Sequence, residues 1–377
     1  MLNHFINNQI MKKSQLILAA ALVALAACEK GNLDINAPQT LDNEIGFTAV
    51  TKKATKANNA IITGTTYGTD NTFKVWGWQS EAGDFSEFAA NAASNFMSNL
   101  TIEWTKGAVP ATHELAWRNA AHYYYWPYTG KISFLAVHPS DVAPSTTGWD
   151  ATNDKPQATF ADYTISAANK TVDLMLANNE GARMANALPM VFNHALSQIQ
   201  FRARTNEDYS ADVTFTLNSV TLNNIDLSGD LAYANSAFTW TDNAAQTESW
   251  PYYATAQEVV YAANDAAAAL YGAANVMIPQ AANKLALPDD DVQTTITINY
   301  TMEQTGSAAI TGTVTVAAPW TKVKEGATDY DPAAEVAAWE PGKKYMYTLN
   351  FKLNEIRFDP EVTDWIEVDM STINILD

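Results

Sequence analysis

The amino-acid sequence predicts an all-β fold made of antiparallel β-sandwiches. Three observations support this prediction: apolar and polar residues alternate strictly in many short runs, turn residues separate those runs, and helical patterns are scarce. The clearest run is Tyr345 to Leu353, in which every odd-numbered residue is aromatic or apolar and most even-numbered residues are polar. This alternation is the pattern of a strand with one buried face.

Similar runs occur along the whole chain and are rich in threonine, tyrosine and valine, which strands favour. In chain order they are 45–49, 73–78, 131–137, 171–176, 198–203, 213–217, 295–300 and 345–353. Glycine and proline residues stand between them, as the turns of a sandwich require. These residues are Gly64, Gly68, Pro139, Pro144, Gly148, Gly229 and Gly306.

Helical signals are confined to two segments. Asp331-Pro332 before Ala333–Trp339 combines a capping residue with proline at the first helical position, and predicts one short helix. Gln257–Tyr271 is rich in alanine and has apolar residues at helical spacing. That segment is compatible with a helix and equally with a loop that crosses a sandwich.

The length of the chain favours two domains. The polar segment from Asn178 to Ala187 separates two strand-rich halves and predicts the boundary. We therefore expect a signal segment over residues 1–27, an N-terminal sandwich over 28–185 and a C-terminal sandwich over 186–377.

The beginning of the chain has the features of an export signal. Lys12 and Lys13 precede an apolar run, Leu16–Ala27, that is shorter than the about 20 residues of a spanning helix. The run ends in Leu25-Ala26-Ala27-Cys28, which resembles the bacterial lipobox, whose cysteine is acylated and becomes the new N-terminus. Met11 is then expected to be the true start, with residues 1–10 an upstream start or an extension. The alternative is a general signal peptide that is cut nearby and leaves a free cysteine.

Composition excludes several classes of partner and site. The net charge of −19 argues against nucleic acid and against adsorption onto anionic lipid, since both need basic residues. A membrane link would therefore depend on the lipid on Cys28 alone. Cys28 is the only cysteine, so neither a disulfide framework nor a thiolate metal site is possible.

No convincing catalytic, cofactor-binding or metal-binding set occurs in the sequence. The five histidines lack metal-ligand spacing, and His194, just before a predicted strand, is expected to bond to backbone. Nucleophile elbows, phosphate loops and zinc-protease motifs are missing. Asp289-Asp290-Asp291 lacks the spacing of a calcium loop and favours a solvated turn. A hydrolase that uses a pair of carboxylates stays open as an alternative.

An aromatic run, Tyr123-Tyr124-Tyr125-Trp126-Pro127-Tyr128, allows two interpretations. Exposed aromatic side chains stack on sugars, which would favour a glycan site. Successive residues of an extended chain face opposite sides, however, so the run cannot form one platform. Core packing is the favoured interpretation.

Four segments resemble the fimbrillin family, the type V pilins, which are exported lipoproteins. The segments are 44–48 with 55–57, 124–127 with 132–136, 191–199, and 339–345 with 347–349. Their order and spacing extend over most of the chain. The resemblance implies two tandem transthyretin-like antiparallel β-sandwiches with few short helices, a structural role and no enzymatic activity.

The resemblance also implies how such a subunit assembles. A lipidated precursor reaches the outer membrane, a trypsin-like protease removes the first strand, and the terminal strand of a neighbouring pilin subunit fills the vacated groove. Surface fimbriae result, and their ligand, on host or bacterium, is unknown. The role as shaft, tip or anchor stays open.

The resemblance places the processing site at Lys56, where the family commonly has arginine, with Lys52 and Lys53 nearby. A lysine-tolerant protease is then needed, or else the subunit is an uncut anchor or an accessory component. Ile45, Phe47 and Ala49 are expected to form the apolar face of the removable strand.

The expected donor strand lies near the C-terminus, with an ordinary edge strand as the alternative. Its apolar anchors are Ile366, Val368, Met370, Ile373 and Ile375. The anchors change parity at Ser371-Thr372, so a bulge or a break is expected there. The rival function is a monomeric surface lipoprotein that binds glycans and keeps its first strand.

Overall fold

The computed structural model describes residues 44–51, 67–80, 96–105, 116–183, 187–242, 248–264, 267–280, 294–317, 338–353 and 356–364. Within these ranges the chain consists of strands and connecting turns without an α-helix, which confirms the predicted all-β class. Accordingly, the described residues include no helix long and apolar enough to cross a bilayer.

The described strands are numbered in chain order. The first ten are Phe47–Thr51 (β1), Phe73–Ser80 (β2), Met97–Thr105 (β3), Ala116–Arg118 (β4), Lys131–His138 (β5), Thr146–Asp150 (β6), Lys155–Thr164 (β7), Met175–Ala182 (β8), Leu188–His194 (β9) and Ser197–Thr205 (β10). The next ten are Val213–Ile225 (β11), Ser228–Ala234 (β12), Ala237–Asp242 (β13), Glu248–Tyr253 (β14), Gln257–Val259 (β15), Ala269–Met277 (β16), Thr295–Gln304 (β17), Ile310–Ala317 (β18), Lys343–Phe351 (β19) and Ile356–Asp364 (β20).

Seven strands close into a barrel in the spatial order β1-β4-β3-β2-β5-β8-β9. Most neighbours are antiparallel, but β1 and β9 run parallel to each other. The remaining sheets have the orders β16-β10-β19-β20, β14-β11-β17-β18 and β13-β12-β7-β6. In the last of these, β7 from the first half of the chain pairs with β12 from the second half. The domain division at residues 185 and 186 stays a prediction.

Two apolar cores lie on opposite faces of strands β2 and β5. Phe73, Val75 and Phe134 pack in the core inside the barrel. Trp78 and Leu135 pack in the second core, which β10, β11, β17 and β19 complete. Because β2 and β5 are covered on both faces, most of their residues are buried, and the one buried face expected from the runs 73–78 and 131–137 is not what the structure has.

The strand predicted over residues 345–353 is confirmed with one change of boundary. Tyr345, Tyr347, Leu349 and Phe351 are buried on one face of β19, which runs parallel to β10. Leu353 was expected on the same face, but the strand ends at Phe351 and Leu353 is exposed.

Other expectations about local structure need correction. Gln257–Tyr271 holds the strand β15 at one end and the start of β16 at the other, and none of its described residues is α-helical. The run 171–176 becomes a strand only at Met175, and that strand continues to Ala182. Asn178 and Glu180, expected in a linker, pair with β5. Glu180 is exposed, whereas the half-buried Asn178 accepts hydrogen bonds from the hydroxyls of Tyr233 and Ser236. The helix expected over residues 331–339 lies almost entirely outside the described residues.

Candidate functional site: a first strand that closes the barrel

β1 occupies the place between β4 and β9, and its presence closes the barrel. On one side, residues 47–51 pair in parallel register with residues 188–192 of β9. On the other side, Phe47 pairs with Trp117 of β4. The amide of Ile45 donates a hydrogen bond of 2.7 Å to the carbonyl oxygen of Tyr124, which extends this flank.

The pairing partners show that β9 depends on β1 for its hydrogen-bond ladder. In the described part of the chain, β9 pairs with β8 only at its last two residues, Asn193 and His194. The preceding stretch, Leu188–Phe192, pairs with β1. The amide of Leu188 also donates to the carbonyl oxygen of Gly46 at 2.8 Å. Loss of β1 would leave this edge unpaired, and an unpaired edge is a template for another strand.

The side chains of β1 alternate between core and surface. Phe47, Ala49 and Thr51 are buried, and so is Ile45 just before the strand, whereas Thr48 and Val50 are exposed. This pattern confirms that Ile45, Phe47 and Ala49 form one apolar face. Burial of Ile45 and Phe47 contributes about 1.5–3 kcal/mol for each side chain.

Phe47 fills an aromatic pocket inside the barrel. Its ring meets the edge of Phe134 at a centroid distance of 5.2 Å and Phe73 at 6.1 Å. Such edge-to-face pairs add about 0.5–1.5 kcal/mol beyond the burial of area. The pocket belongs to β2 and β5, so it would persist without β1.

Tyr67 connects the two strands that flank β1. Its ring stacks on Phe192 of β9 at 5.0 Å and lies edge-on to Trp117 of β4 at 5.6 Å. Its hydroxyl lies 2.7 Å from Nδ1 of His138 and donates to the carbonyl oxygen of Thr72 at 3.1 Å. Tyr67 therefore belongs to the fixed part of the barrel core that lies under β1.

A buried polar cluster at the end of β5 contacts Tyr67 through His138. Desolvation by burial lowers the pKa of His138 to about 4, while the charge of Asp173 acts in the opposite direction. Nδ1 of His194 lies 2.8 Å from the Asp173 carboxylate. The sequence did not indicate this side-chain partner of His194, and the expected bond to backbone stays a prediction. Sequence reasoning missed the cluster because Tyr67, His138 and Asp173 are far apart in the chain.

The aromatic run beside β1 is divided between core and surface. Trp126 is buried and Tyr124 packs partly against the barrel core, as core packing predicts. Tyr123, Tyr125 and Tyr128 are exposed. The expected alternation therefore holds from Tyr123 to Trp126.

The other predicted site residues lie outside the described residues. They are Cys28, Lys52, Lys53, Lys56, Ile366, Val368, Met370, Ile373 and Ile375. In the sequence, Lys52 follows the last residue of β1 directly, and residues 365–377 follow β20 directly. The described residues contain no group of three or more His, Cys, Asp or Glu side chains that could hold a metal ion.

Solved structures from Bacteroides and Parabacteroides species are similar to this chain. A crystal structure of a fimbrial protein from Bacteroides vulgatus matches with a TM-score of 0.55 and 17% identity, covering 86% of this chain and 99% of that chain. A Bacteroides ovatus structure described as a cell adhesion protein matches with a TM-score of 0.44 and 16% identity, covering 86% and 98%. A fimbrial assembly protein from Parabacteroides distasonis matches with a TM-score of 0.38 and 11% identity, covering 87% and 98%.

At these identities the Bacteroides vulgatus structure supports the fold alone. No match was found among proteins with curated annotation. The profile of the fimbrillin-like family matches residues 40–365, a range that contains every strand from β1 to β20. This match extends over far more than half of the sequence, and the chain therefore belongs to the fimbrillin-like family.

Proposed function

We propose that this chain is a structural subunit of an adhesive surface fimbria. It is exported as a lipoprotein, anchored in the outer membrane through Cys28 and assembled by protease-triggered strand exchange. It performs no catalysis, and its partners are other pilin subunits. The observation that carries the proposal is the position of β1, which closes the barrel between β4 and β9.

The first step is the removal of β1. A trypsin-like protease cuts after Lys52, Lys53 or Lys56, which lie in a polar stretch immediately after β1. Only pairing with its neighbours and burial of one apolar face then hold the strand in place. Its departure vacates the Phe47 pocket and unpairs the Leu188–Phe192 edge.

The second step is the entry of a donor strand from another subunit. Main-chain hydrogen bonds to an exposed edge provide affinity, and alternate side chains in pockets fix the register. The donor is the segment that contains Ile366, Val368, Met370, Ile373 and Ile375. Each buried anchor contributes about 1.5–3 kcal/mol before the entropy cost of ordering the strand.

The exposed side chains of Tyr123, Tyr125 and Tyr128 favour a second candidate function. A monomeric lipoprotein that keeps β1 would use these rings to stack on glycans. The two candidates differ in their response to proteolysis, since strand exchange needs β1 to leave and glycan capture does not.

Incubation of the purified protein with trypsin tests the proposal. We expect oligomer ladders that survive detergent on unheated gels, with subunits whose N-termini begin after Lys52, Lys53 or Lys56. The matched control replaces all three lysines with alanine and should stay monomeric. A wild-type protein that loses its first strand and stays monomeric would contradict strand exchange.

A further inference from the structure

Exposed apolar side chains concentrate around β1. In the described residues, Val50 on β1, Val191 on β9, and Tyr125 and Tyr123 on the other flank are between 39% and 47% exposed. Large apolar side chains at such exposure often mark a contact surface when they lie together.

The pairing of the strands places these side chains on the outer side of the barrel. Val50 is the register partner of Val191, and Thr48 is the register partner of Pro189, which is also exposed. On the other flank, Tyr124 packs against the core, so Tyr123 and Tyr125 point outward. We define the outer rim as Tyr123, Tyr125, Pro189 and Val191, which all remain when β1 leaves.

The donor segment has apolar side chains on both of its faces, so both faces need an apolar partner. Residues 365–377 carry apolar side chains of both parities: Ile366, Val368, Met370 and Leu376 are even-numbered, whereas Trp365, Ile373 and Ile375 are odd-numbered. A strand that places one parity in the core turns the other parity outward. An ordinary half-buried strand has polar residues on that outward face.

We propose that the outer rim binds the outward-facing apolar side chains of residues 365–377 from a second copy of this chain. The inference rests on the proposed function and specifies its partner contact. The even-numbered residues, among them the anchors Ile366, Val368 and Met370, enter the barrel. The anchors Ile373 and Ile375 are instead buried against the rim, beside Trp365. Both faces of the donor then find apolar partners, and no bulge at Ser371-Thr372 is needed.

The test uses the full chain after trypsin treatment and a labelled peptide of residues 365–377. The rim variant is Tyr125→Ser with Val191→Thr. Its matched control is Tyr261→Ser with Val260→Thr, because these side chains are 49% and 48% exposed and lie away from β1. Fluorescence anisotropy measures the Kd and the dissociation rate.

We expect about tenfold weaker peptide binding by the rim variant, which corresponds to about 1.4 kcal/mol, and a change within about twofold for the control. A second peptide with Ile373→Ser and Ile375→Ser should bind the wild type more weakly. It should show little further loss with the rim variant, since contacting residues are not additive.

Three outcomes would overturn the inference. Unchanged binding by the rim variant would show that the rim does not contact the donor, and so would losses from rim and peptide that simply add. Loss of neutral-glycan binding with unchanged peptide binding would assign the tyrosines to sugars. If trypsin-treated wild type does not bind the peptide, the proposed function itself fails, which separates the two results.

Discussion

Phe47 of β1 and Phe134 of β5 meet edge to face with their ring centroids 5.2 Å apart. This contact joins the strand that is proposed to leave with a strand that stays. It makes Phe47 the main side-chain anchor of β1, because the other inward-facing residues of the strand, Ala49 and Thr51, are smaller.

Replacing Phe47 with alanine should loosen β1 in the uncut protein. A phenylalanine-to-alanine change in a core costs about 3–5 kcal/mol. Chemical unfolding monitored by tryptophan fluorescence will measure the loss. The matched control is Thr48→Ala on the exposed face of the same strand, which should change the free energy of unfolding by less than about 0.5 kcal/mol. Equal effects of the two variants would contradict the anchoring role.

The pKa of His138 predicts a loss of stability in acid. The folded protein holds this pKa at about 4, below the ordinary value of 6.5, so the unfolded chain binds more protons between these limits. Stability is therefore full above about pH 6.5 and declines by roughly 3 kcal/mol as the pH falls to 4. Unfolding curves from pH 4 to 7 will show the slope.

The His138→Gln variant should reduce that slope, since it removes the titrating ring. His122→Gln, at an exposed position, is the control and should leave the slope as in the wild type. A slope that is the same in all three proteins would mean that His138 does not govern the acid sensitivity.

The strand pattern could be predicted from the sequence where one face of a strand is buried. Ile45, Phe47 and Ala49 alternate with less apolar or exposed neighbours, and Tyr345, Tyr347 and Leu349 do the same. Pairing could not be predicted. β1 and β9 are about 140 residues apart, and no local pattern in either segment indicates that they run parallel.

The ends of strands could not be predicted where polar residues belong to the strand. Asn178 and Glu180 suggest a linker, yet they continue β8 because β5 offers an edge with which their backbone can pair. The hydrogen bond between Tyr67 and His138 was equally hidden, since it depends on two segments that meet only in the folded barrel.

Cys28 is expected to carry the lipid anchor. The Cys28→Ala variant should lose radiolabelled palmitate and be released from the membrane or trapped as precursor, because acylation needs the thiol. A control substitution, Ser14→Ala, changes the signal region without touching the thiol and should leave labelling intact. Equal labelling of the wild type and the Cys28 variant would contradict the lipoprotein assignment.

Deletion of residues 366–377 should remove donor activity and leave acceptor activity. The pairing of β20 with β19 ends at Asp364, so the shortened protein should fold. Mixed with full-length protein and trypsin, it should terminate growing oligomers and shorten the ladder on gels. Normal fibres from the shortened protein alone would refute the donor role, and so would its failure to fold.

The proposed assembly requires β1 to leave before subunits join, and a reversible lock on that strand examines this requirement. Val50 and Val191 are register partners on neighbouring strands, which lie about 4.8 Å apart, within the range that a disulfide can bridge. The protein for this test carries Val50→Cys and Val191→Cys, with Cys28→Ala to remove the native thiol. Val50→Cys alone, in the same background, is the control.

The measurement is the amount of detergent-resistant oligomer after trypsin treatment, with and without a reducing agent, once mass spectrometry has confirmed the disulfide. We expect the oxidised double variant to be cut and to stay monomeric, and we expect reduction to restore the ladder of the control. Oligomers from the oxidised, locked protein at the level of the control would contradict the proposed assembly.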